Sequence, residues 1–177
     1  VGEVRNVGVL LLPSAGGIMA NLSLLMRAKT VVNLNYTAGA DIMAKCMNKA
    51  EIKTVVTSER FLTRLRAKGF DLDAAFEGRQ VVYLEDVRRN LNRVALLLCL
   101  IMARVLPVFL LRPIFFKRAS REDTATILFS SGSEGTPKGV MLSHTNIVGN
   151  IRQVSCLLNA CQDDVILATL PLFHAFG

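Results

Sequence analysis

Short apolar runs alternate with segments of helical periodicity along the first half of the chain. The runs are rich in β-branched residues, which predicts strands over residues 7–12, 30–34, 54–57 and 80–84. Apolar positions three and four apart predict helices over residues 18–27, 40–49 and 59–68, and a loop is expected over residues 13–17. Short buried strands that alternate with helices indicate an α/β fold, in which a mostly parallel sheet is flanked by helices.

The pattern differs after residue 122. Residues 124–129 predict a buried strand, and residues 140–142 predict a strand that returns beside it. A helix is expected to begin between Ser143 and Asn146, because a stripe of apolar residues follows at helical spacing. The stripe consists of Ile147, Val148, Ile151, Val154, Leu157 and Leu158. The chain is therefore expected to turn tightly between two strands.

The most apolar stretch, residues 94–116, lies between these two regions. A membrane-spanning helix needs about 20 mostly apolar residues, and charged and proline residues interrupt this stretch first. The interruptions are Arg104, Pro107, Arg112 and Pro113. Two alternatives remain open. The stretch could lie in a membrane interface, with cations at the headgroups, or it could be a buried helix followed by a proline-broken connection.

Charge is concentrated in the same region. The chain of 177 residues has a formal net charge of +7 from 21 Lys and Arg and 14 Asp and Glu, and eight of the cations lie between positions 88 and 121 without an acidic residue. These cations are Arg88, Arg89, Arg93, Arg104, Arg112, Lys117, Arg118 and Arg121. They are interleaved with Leu, Ile and Val rather than with stacking aromatics, which disfavours nucleic acid as a partner.

Cysteine and histidine usage gives no sign of a metal site. The cysteines form no Cys-x-x-Cys pair and lie in apolar periodic segments, so reduced thiols in the core are expected. They are Cys46, Cys99, Cys156 and Cys161. His144 and His174 have no clustered partners, so a structural zinc site is not supported.

The turn between the last two strands reads Ser-Ser-Gly-Ser-Glu-Gly-Thr-Pro-Lys-Gly over residues 130–139. Three glycines permit positive φ and close backbone approach, while four hydroxyls and a lysine supply further donors, a composition that suits a polyphosphate. It is not the usual P-loop, which would need glycine at Pro137 and a hydroxyl at Gly139. A Gly/Ser-rich hairpin without function is the alternative.

Residues 130–144 resemble the phosphate-loop signature of the adenylate-forming superfamily, which includes acyl-CoA synthetases, luciferases and peptide-synthetase adenylation domains. The run Leu-Pro-Leu-Phe-His-Ala-Phe-Gly over residues 170–177 resembles the next motif of that family, where an aromatic residue and a histidine border the acyl site. Residues 7–12 and 30–39 also resemble the family's N-terminal α/β region. The resemblance therefore covers nearly the whole chain.

Residues 54–61, 82–87 and 131–137 are most similar to the acyl-ACP synthetase half of the bacterial bifunctional 2-acylglycerophosphoethanolamine acyltransferase family. This resemblance implies that ATP activates a fatty acid to an acyl-adenylate with loss of pyrophosphate. The acyl group then passes to acyl carrier protein or to CoA. It also implies a cytoplasmic enzyme that is peripheral at the inner membrane, where an anionic surface would meet the basic segment.

The resemblance also implies roles for individual residues. The ATP phosphates would be held by Ser130, Ser131, Gly132, Ser133, Glu134, Gly135, Thr136, Pro137, Lys138 and Gly139. Thr136 would share Mg²⁺ with the phosphates, and His174 would orient the acyl carboxylate or line the mouth of its site. The alternative for His174 is a neutral histidine packed at the end of a strand.

The family places its adenine-stacking, ribose-binding and Mg²⁺-ligating motifs, and a C-terminal domain with a catalytic lysine, after the point that this chain reaches. We therefore expect residues 1–177 to be part of a large N-terminal AMP-binding domain and inactive alone. Within it we expect an α/β region over 1–87, the basic apolar segment over 88–121, and the phosphate-loop hairpin, helix and acyl-site motif over 122–177. A phosphate-binding interaction or regulatory module without catalysis is the alternative.

Overall fold

The computed structural model describes residues 5–130, 137–165 and 170–174. The strands of these residues are β1 (Asn6–Leu10), β2 (Thr30–Asn33), β3 (Thr54–Thr57), β4 (Gln80–Tyr83), β5 (Thr124–Ser130) and β6 (Lys138–Ser143). The α-helices are α1 (Ala15–Met26), α2 (Ala40–Lys49), α3 (Glu59–Ala67), α4 (Leu84–Arg89), α5 (Arg93–Val105), α6 (Val108–Phe115) and α7 (His144–Leu158). A short 3₁₀ helix, Asp73–Phe76, precedes β4.

The six described strands form one sheet in the order β4-β3-β1-β2-β5-β6. The first five are parallel to their neighbours, and β6 pairs antiparallel with β5. The predicted α/β fold, with a mostly parallel sheet flanked by helices, is therefore confirmed. Because the chain leaves β1 towards β2 and leaves the neighbouring strand β3 in the opposite direction towards β4, the carboxyl ends of β1 and β3 form a topological switch point, where open α/β sheets bind ligands.

Each face of the sheet has its own hydrophobic layer. On one face, α2, α3 and the 3₁₀ helix cover side chains such as Leu10 and Val32, both of which are fully buried. On the other face, α1 covers Val9 and Val31. Alternate residues of each central strand therefore enter opposite layers, as a sheet with helices on both sides requires.

The observed helices begin close to their predicted starts, with one correction. We expected a loop over residues 13–17, but α1 begins at Ala15 because the Ser14 hydroxyl accepts a hydrogen bond from the Gly17 N–H at 3.3 Å. The two glycines of that stretch are consequently helical. At α7 the prediction is confirmed, since the Ser143 and Asn146 side chains form a reciprocal capping box at its start.

The basic apolar segment, residues 88–121, does not form the buried helix that was one of the alternatives. It forms the end of α4 and the helices α5 and α6, and neither α5 nor α6 has a buried residue. Pro107 separates the two helices because its fixed φ suits the position that precedes a first helical turn. Within the described ranges, no helix is both long enough and apolar enough to cross a membrane.

The expectation of four core thiols is correct for one cysteine. Cys46 of α2 is buried, and burial raises the pKa of its thiol. Cys99 is half-buried, while Cys156 and Cys161 are exposed. The prediction is wrong for the last two because α7 and the residues that follow it lie on the surface of the described fold.

Candidate functional site

The hairpin of β5 and β6 carries the predicted phosphate loop. Its last pair joins Ser130 to Lys138, so both residues lie at the base of the turn, and both are exposed. Pro137 is buried, and its carbonyl oxygen accepts a hydrogen bond from the Lys49 ammonium of α2 at 3.1 Å. The predicted ATP-binding residues Ser131, Gly132, Ser133, Glu134, Gly135 and Thr136, including the predicted Mg²⁺ ligand, lie outside the described residues.

Two side-chain hydrogen bonds fix β5 against β2. The Thr126 hydroxyl donates to the Val31 carbonyl oxygen at 2.8 Å, and the Thr30 hydroxyl donates to the Thr124 carbonyl oxygen at 2.8 Å. Since β5 runs parallel to β2, its end at Ser130 lies at the same edge of the sheet as the carboxyl ends of the other parallel strands. The base of the predicted loop is therefore held at the edge where α/β sheets bind ligands.

Gly139 allows the side chains of β5 to pack closely against the backbone of β6. A Cβ atom at this position would lie 3.1 Å from the Phe129 ring and 3.3 Å from the Ile127 side chain, which is tighter than ordinary contact. Gly139 is not among the residues with positive φ, so the conformational freedom expected of it from the sequence is not used. A larger side chain would push β6 away from β5 and displace the base of the loop.

Lys138 presents an available cation at the base of the loop. Its side chain is exposed, and no other described residue forms a hydrogen bond or an ion pair with its ammonium group. The ammonium is therefore open to an anion such as a phosphate. This fits the expectation from the sequence, although Lys138 alone does not distinguish one phosphate ligand from another.

The second predicted motif lies against the same edge of the sheet. Phe173 forms a T-shaped contact with Tyr36, which follows β2, at a centroid distance of 5.2 Å, and Tyr36 forms a similar contact with Phe61. Phe173 and Phe129 line one small cavity, so the motif meets the strand that leads into the predicted loop. Tyr36 was missed by the sequence reasoning, and its position three residues after the end of β2 is the only signal that could have identified it.

His174 follows Phe173 and is exposed. Its ring centroid lies 5.9 Å from that of Phe173, and its backbone N–H donates to the Pro171 carbonyl oxygen at 2.9 Å. The His174 ring is therefore not packed at the end of a strand. The imidazole lies at the surface beside the aromatic cluster, where a ligand could reach it.

A cavity of about 680 Å³ lies between α1, α7 and the surface of the sheet. Most of its walls are apolar, and Leu172 of the second motif is among them. Two polar side chains on its floor satisfy each other, because the amide groups of Asn21 and Asn33 exchange hydrogen bonds at 2.9 and 3.2 Å. Its volume lies within the range of roughly 300–1,000 Å³ that is typical of small-molecule sites.

Glu85 of α4 holds the start of α3 at the carboxyl edge. Its carboxylate accepts hydrogen bonds from the Ser58 hydroxyl at 2.7 Å, from the Glu59 N–H at 3.1 Å and from the Arg60 N–H at 3.4 Å. Partial burial by itself would raise the pKa of Glu85, but these donors outweigh it and lower the pKa to about 2. The side chain therefore stays ionised and fixes the orientation of two neighbouring helices.

Metal ligands of the usual protein types are not clustered in the described part of the chain. No group of three or more His, Cys, Asp and Glu residues lies close enough to enclose an ion there. Mg²⁺ usually keeps several waters and is bound through one or two protein groups together with substrate phosphates. The predicted single hydroxyl ligand, Thr136, is compatible with that mode of binding.

Comparison with known proteins identifies a family over the whole sequence and relatives over about a third of it. The profile of the family described as AMP-binding enzyme matches residues 1–177. The medium-chain fatty-acid–CoA ligase of Escherichia coli is 46% identical over 56 residues, which are 32% of this chain and 10% of that protein. The human long-chain-fatty-acid–CoA ligase 1 is 41% identical over 64 residues, which are 34% and 9% of the two chains.

A third relative is named for acyl carrier protein, rather than CoA, as the acceptor. The chloroplastic long-chain-fatty-acid–[acyl-carrier-protein] ligase AEE15 of Arabidopsis thaliana is 44% identical over 55 residues, which are 31% of this chain and 8% of that protein. The matched segments thus span about a tenth or less of the length of these curated relatives.

Two solved structures share the fold. The o-succinylbenzoate coenzyme A synthetase of Bacillus subtilis, in complex with ATP and magnesium ion, has a TM-score of 0.72 at 17% identity over 98% of this chain and 40% of that chain. MatB from Rhodopseudomonas palustris has a TM-score of 0.71 at 20% identity over 100% of this chain and 32% of that chain. This chain therefore corresponds to 40% of the first of those structures and 32% of the second.

Proposed function

Because this chain belongs to the AMP-binding enzyme family, we propose that it supplies the ATP-binding loop of a ligase that activates a fatty acid as an acyl-adenylate. The acyl group then forms a thioester with acyl carrier protein or CoA. The observation that carries the proposal is the hairpin of β5 and β6, which presents Lys138 at the carboxyl edge of the sheet. Relatives that are named fatty-acid ligases for both acceptors support the substrate class.

The proposed reaction has two steps. A carboxylate oxygen of the fatty acid attacks the α-phosphorus of ATP, and the bond to pyrophosphate breaks as the acyl-phosphate bond forms. The sulfur of a thiol, which loses its proton, then bonds to the acyl carbon, and AMP leaves as the bond between that carbon and the phosphate oxygen breaks. Both reactants of the first step are anions, so the protein must neutralise and orient the phosphates before they can react.

The loop would provide this neutralisation. We assign the β- and γ-phosphates to its backbone N–H groups, to the hydroxyls of Ser131, Ser133 and Thr136, and to the Lys138 ammonium. Ser130, Gly132, Glu134, Gly135, Pro137 and Gly139 complete the loop and its base. Mg²⁺, shared between Thr136 and the phosphates, would supply further neutralising charge when it is bound.

The acyl side of the site is assigned to the second motif. His174 would orient the acyl carboxylate or line the mouth of its site, since the exposed imidazole lies beside Phe173. The apolar cavity between α1 and α7 reaches the same motif through Leu172 and has a size that suits an alkyl chain. These assignments place the carboxylate and the phosphate loop at one edge of the sheet.

We further propose that the parent enzyme resembles the acyl-ACP synthetase half of the bifunctional 2-acylglycerophosphoethanolamine acyltransferase. In that case the protein acts in the cytoplasm and attaches peripherally to the inner membrane. The basic apolar segment, residues 88–121, supports this location because its cations and apolar side chains are both exposed.

The test is release of pyrophosphate by the full-length protein across a panel of fatty acids. Lys138→Ala should lower kcat/KM for ATP about 10- to 100-fold, which corresponds to the loss of one hydrogen bond to a charged group. Its melting temperature should change by less than about 1 °C, because an exposed side chain contributes little to the core. Lys53→Ala is the matched control, since Lys53 is exposed at the opposite edge of the sheet.

Two results would contradict the assignment. One is an equal loss of activity in Lys138→Ala and Lys53→Ala, and the other is a loss of activity that follows a matching loss of thermal stability. Binding of ATP without release of pyrophosphate from it in the presence of any carboxylic acid tested would instead favour the phosphate-binding regulatory module.

A further inference from the structure

Apolar side chains of α5 and α6 lie open to solvent over two consecutive helices. Val105 has 72% of its surface exposed, Phe109 has 70% and Leu100 has 67%. Contiguous exposed apolar patches of more than a few hundred Å² are uncommon and usually mark an interaction surface. Within the described residues, the three helices from α4 to α6 have no buried side chain, so no described element covers this segment.

The charge on the same segment has one sign. Residues 88–121 contain eight Lys and Arg residues and no Asp or Glu, whereas the remaining 13 cations of the chain are balanced by 14 acidic residues. The partner that this surface fits therefore carries negative charge as well as apolar surface.

Several of these cations line a cavity of about 590 Å³ where α6 returns to the body of the protein. Arg112, Arg118 and Arg121 lie on its walls, and Phe109 and Phe116 form part of its apolar side. A neighbouring cavity of about 360 Å³ shares Arg121 and His144 with it and adds Arg152. The basic cavity thus lies at the foot of the apolar helices.

The cavity has a fixed position on the sheet. The Lys117 N–H donates a hydrogen bond to the Met26 carbonyl oxygen at the end of α1, at 2.8 Å. On the other side, the Thr145 N–H at the start of α7 donates to the Arg121 carbonyl oxygen at 3.0 Å, and the Thr145 hydroxyl lies 3.1 Å from the same oxygen and 2.8 Å from a Glu122 carboxylate oxygen. The backbone that carries these cations is therefore attached to two helices of the body.

We propose that α5 and α6 dock on a bilayer that contains anionic phospholipid, and that the basic cavity holds a phospholipid phosphate headgroup. The helices contain 13 and 8 residues and so extend about 20 and 12 Å, less than the hydrocarbon thickness of about 30 Å. They therefore lie in the interface, with apolar side chains in the acyl region and the cavity at headgroup level.

A lipid surface fits better than an acidic protein. Steering of an acidic protein needs cations, but it does not need two helices whose apolar side chains are exposed on all sides. The inference deepens the proposed membrane attachment and rests on it, but it is independent of the proposed ligase chemistry.

The test is co-sedimentation of the full-length protein with vesicles of phosphatidylcholine alone or with 30% phosphatidylglycerol, a fraction of roughly the size that gives a strongly negative surface. Replacing Arg112, Arg118 and Arg121 together by Gln should weaken binding to the anionic vesicles about a hundredfold, since each cation near such a surface contributes a factor of about five. The matched control replaces Arg60, Arg64 and Lys68 by Gln. It removes the same charge at α3 on the other face of the sheet and should change binding less than about twofold.

A second pair of variants tests the apolar contribution. High salt should release only part of the wild-type protein, because ions do not screen the burial of apolar side chains. Val105→Ser combined with Phe109→Ser should make the release by salt complete. Leu157→Ser is the control, since Leu157 is 84% exposed on α7 outside the segment.

Three results would overturn the inference. They are equal binding to neutral and anionic vesicles, equal weakening by the cavity variant and its α3 control, and binding of inorganic phosphate to the cavity at millimolar concentration without vesicles. Capture of an acidic carrier protein with no vesicle binding would also overturn it and assign the surface to a protein. Pyrophosphate release from ATP in the presence of a soluble acid, measured without vesicles, should be the same in wild type and cavity variant, so failure of the membrane inference leaves the ligase proposal standing.

Discussion

The contact between Glu85 and the start of α3 should contribute to the free energy of unfolding, and the size of that contribution can be worked out from the structure. The change is Glu85→Gln, which keeps the shape of the side chain but removes its charge and one of its two acceptor oxygens. Three donors now share those oxygens, at 2.7, 3.1 and 3.4 Å. A hydrogen bond to a buried charged group contributes about 1.5–3 kcal/mol, but solvent screens this partly exposed carboxylate, so we expect a total loss of about 1 kcal/mol.

The loss should depend on pH in a defined direction. The pKa of Glu85 is lowered from 4.5 to about 2 in the folded protein, so the folded state favours the charged form. The contribution to the free energy of unfolding is complete above the unfolded pKa of 4.5 and is lost as the pH falls towards 2. Wild type and Glu85→Gln should therefore differ by a constant amount above pH 5 and converge in acid.

Thermal unfolding between pH 3 and pH 8, together with amide hydrogen exchange, measures this effect. For a unit of this size, 1 kcal/mol lowers the melting temperature by about 3 °C, and the Glu59 and Arg60 amides should exchange faster in the variant. Glu77→Gln is the matched control, because Glu77 is exposed and its carboxylate accepts no hydrogen bond from another described residue. The reasoning fails if the two variants melt alike at pH 7, or if the Glu85 difference grows rather than shrinks in acid.

Two further predictions concern packing and thiol reactivity. Gly17→Ala should destabilise the protein by about 1–3 kcal/mol, because its Cβ would lie 2.6 Å from the Leu12 carbonyl oxygen. Gly149→Ala should stabilise α7 by up to about 1 kcal/mol, because its Cβ would have no neighbour within 4 Å. Chemical denaturation measures both changes in the free energy of unfolding, and changes of the same sign would contradict the geometry. An aromatic disulfide reagent should label Cys161 at least about tenfold faster than Cys46, because burial raises the pKa of the Cys46 thiol and shields it; comparable rates in the folded protein would refute that burial.

The fold was predictable where residues within an element determine its type and its bounds. The helix over Ala40–Lys49 and the strand over Thr54–Thr57 were predicted with their observed bounds, because an amphipathic stripe and a β-branched run specify them directly. The start of α1 was not, because the Ser14 cap overrides the loop preference of the two glycines that follow. Strand order also lay beyond the pattern, since nothing local to β5 indicates that it pairs with β2.

The sequence indicated the motifs of the candidate site, but it did not indicate the tertiary contacts around them. Glycine, hydroxyl and lysine content indicated the loop. The strands on either side of it were predicted over residues 124–129 and 140–142, and they are observed over Thr124–Ser130 and Lys138–Ser143. The contact of Phe173 with Tyr36 was not predictable, because the two residues are far apart in sequence and meet only through the packing of the sheet. Exposure of α5 and α6 could not be decided either, since an apolar helix has the same sequence pattern in a core and at an interface.

The place of β5 in the sheet has a consequence for how the protein is made. β2 pairs with β1 on one side and with β5 on the other, and the Thr30 hydroxyl contacts a carbonyl oxygen that lies 94 residues later in the chain. At about 5–20 residues per second, a ribosome needs about 5–20 s to synthesise that interval.

During that time β1 to β4 can already pair, but the outer edge of β2 has no strand beside it. An unpaired edge is a template for association with another chain, and the exposed apolar helices α5 and α6 emerge before β5 can close it. Nascent chains of this protein should therefore depend on chaperones, or on prompt contact of α5 and α6 with a membrane, more than the completed sheet would require.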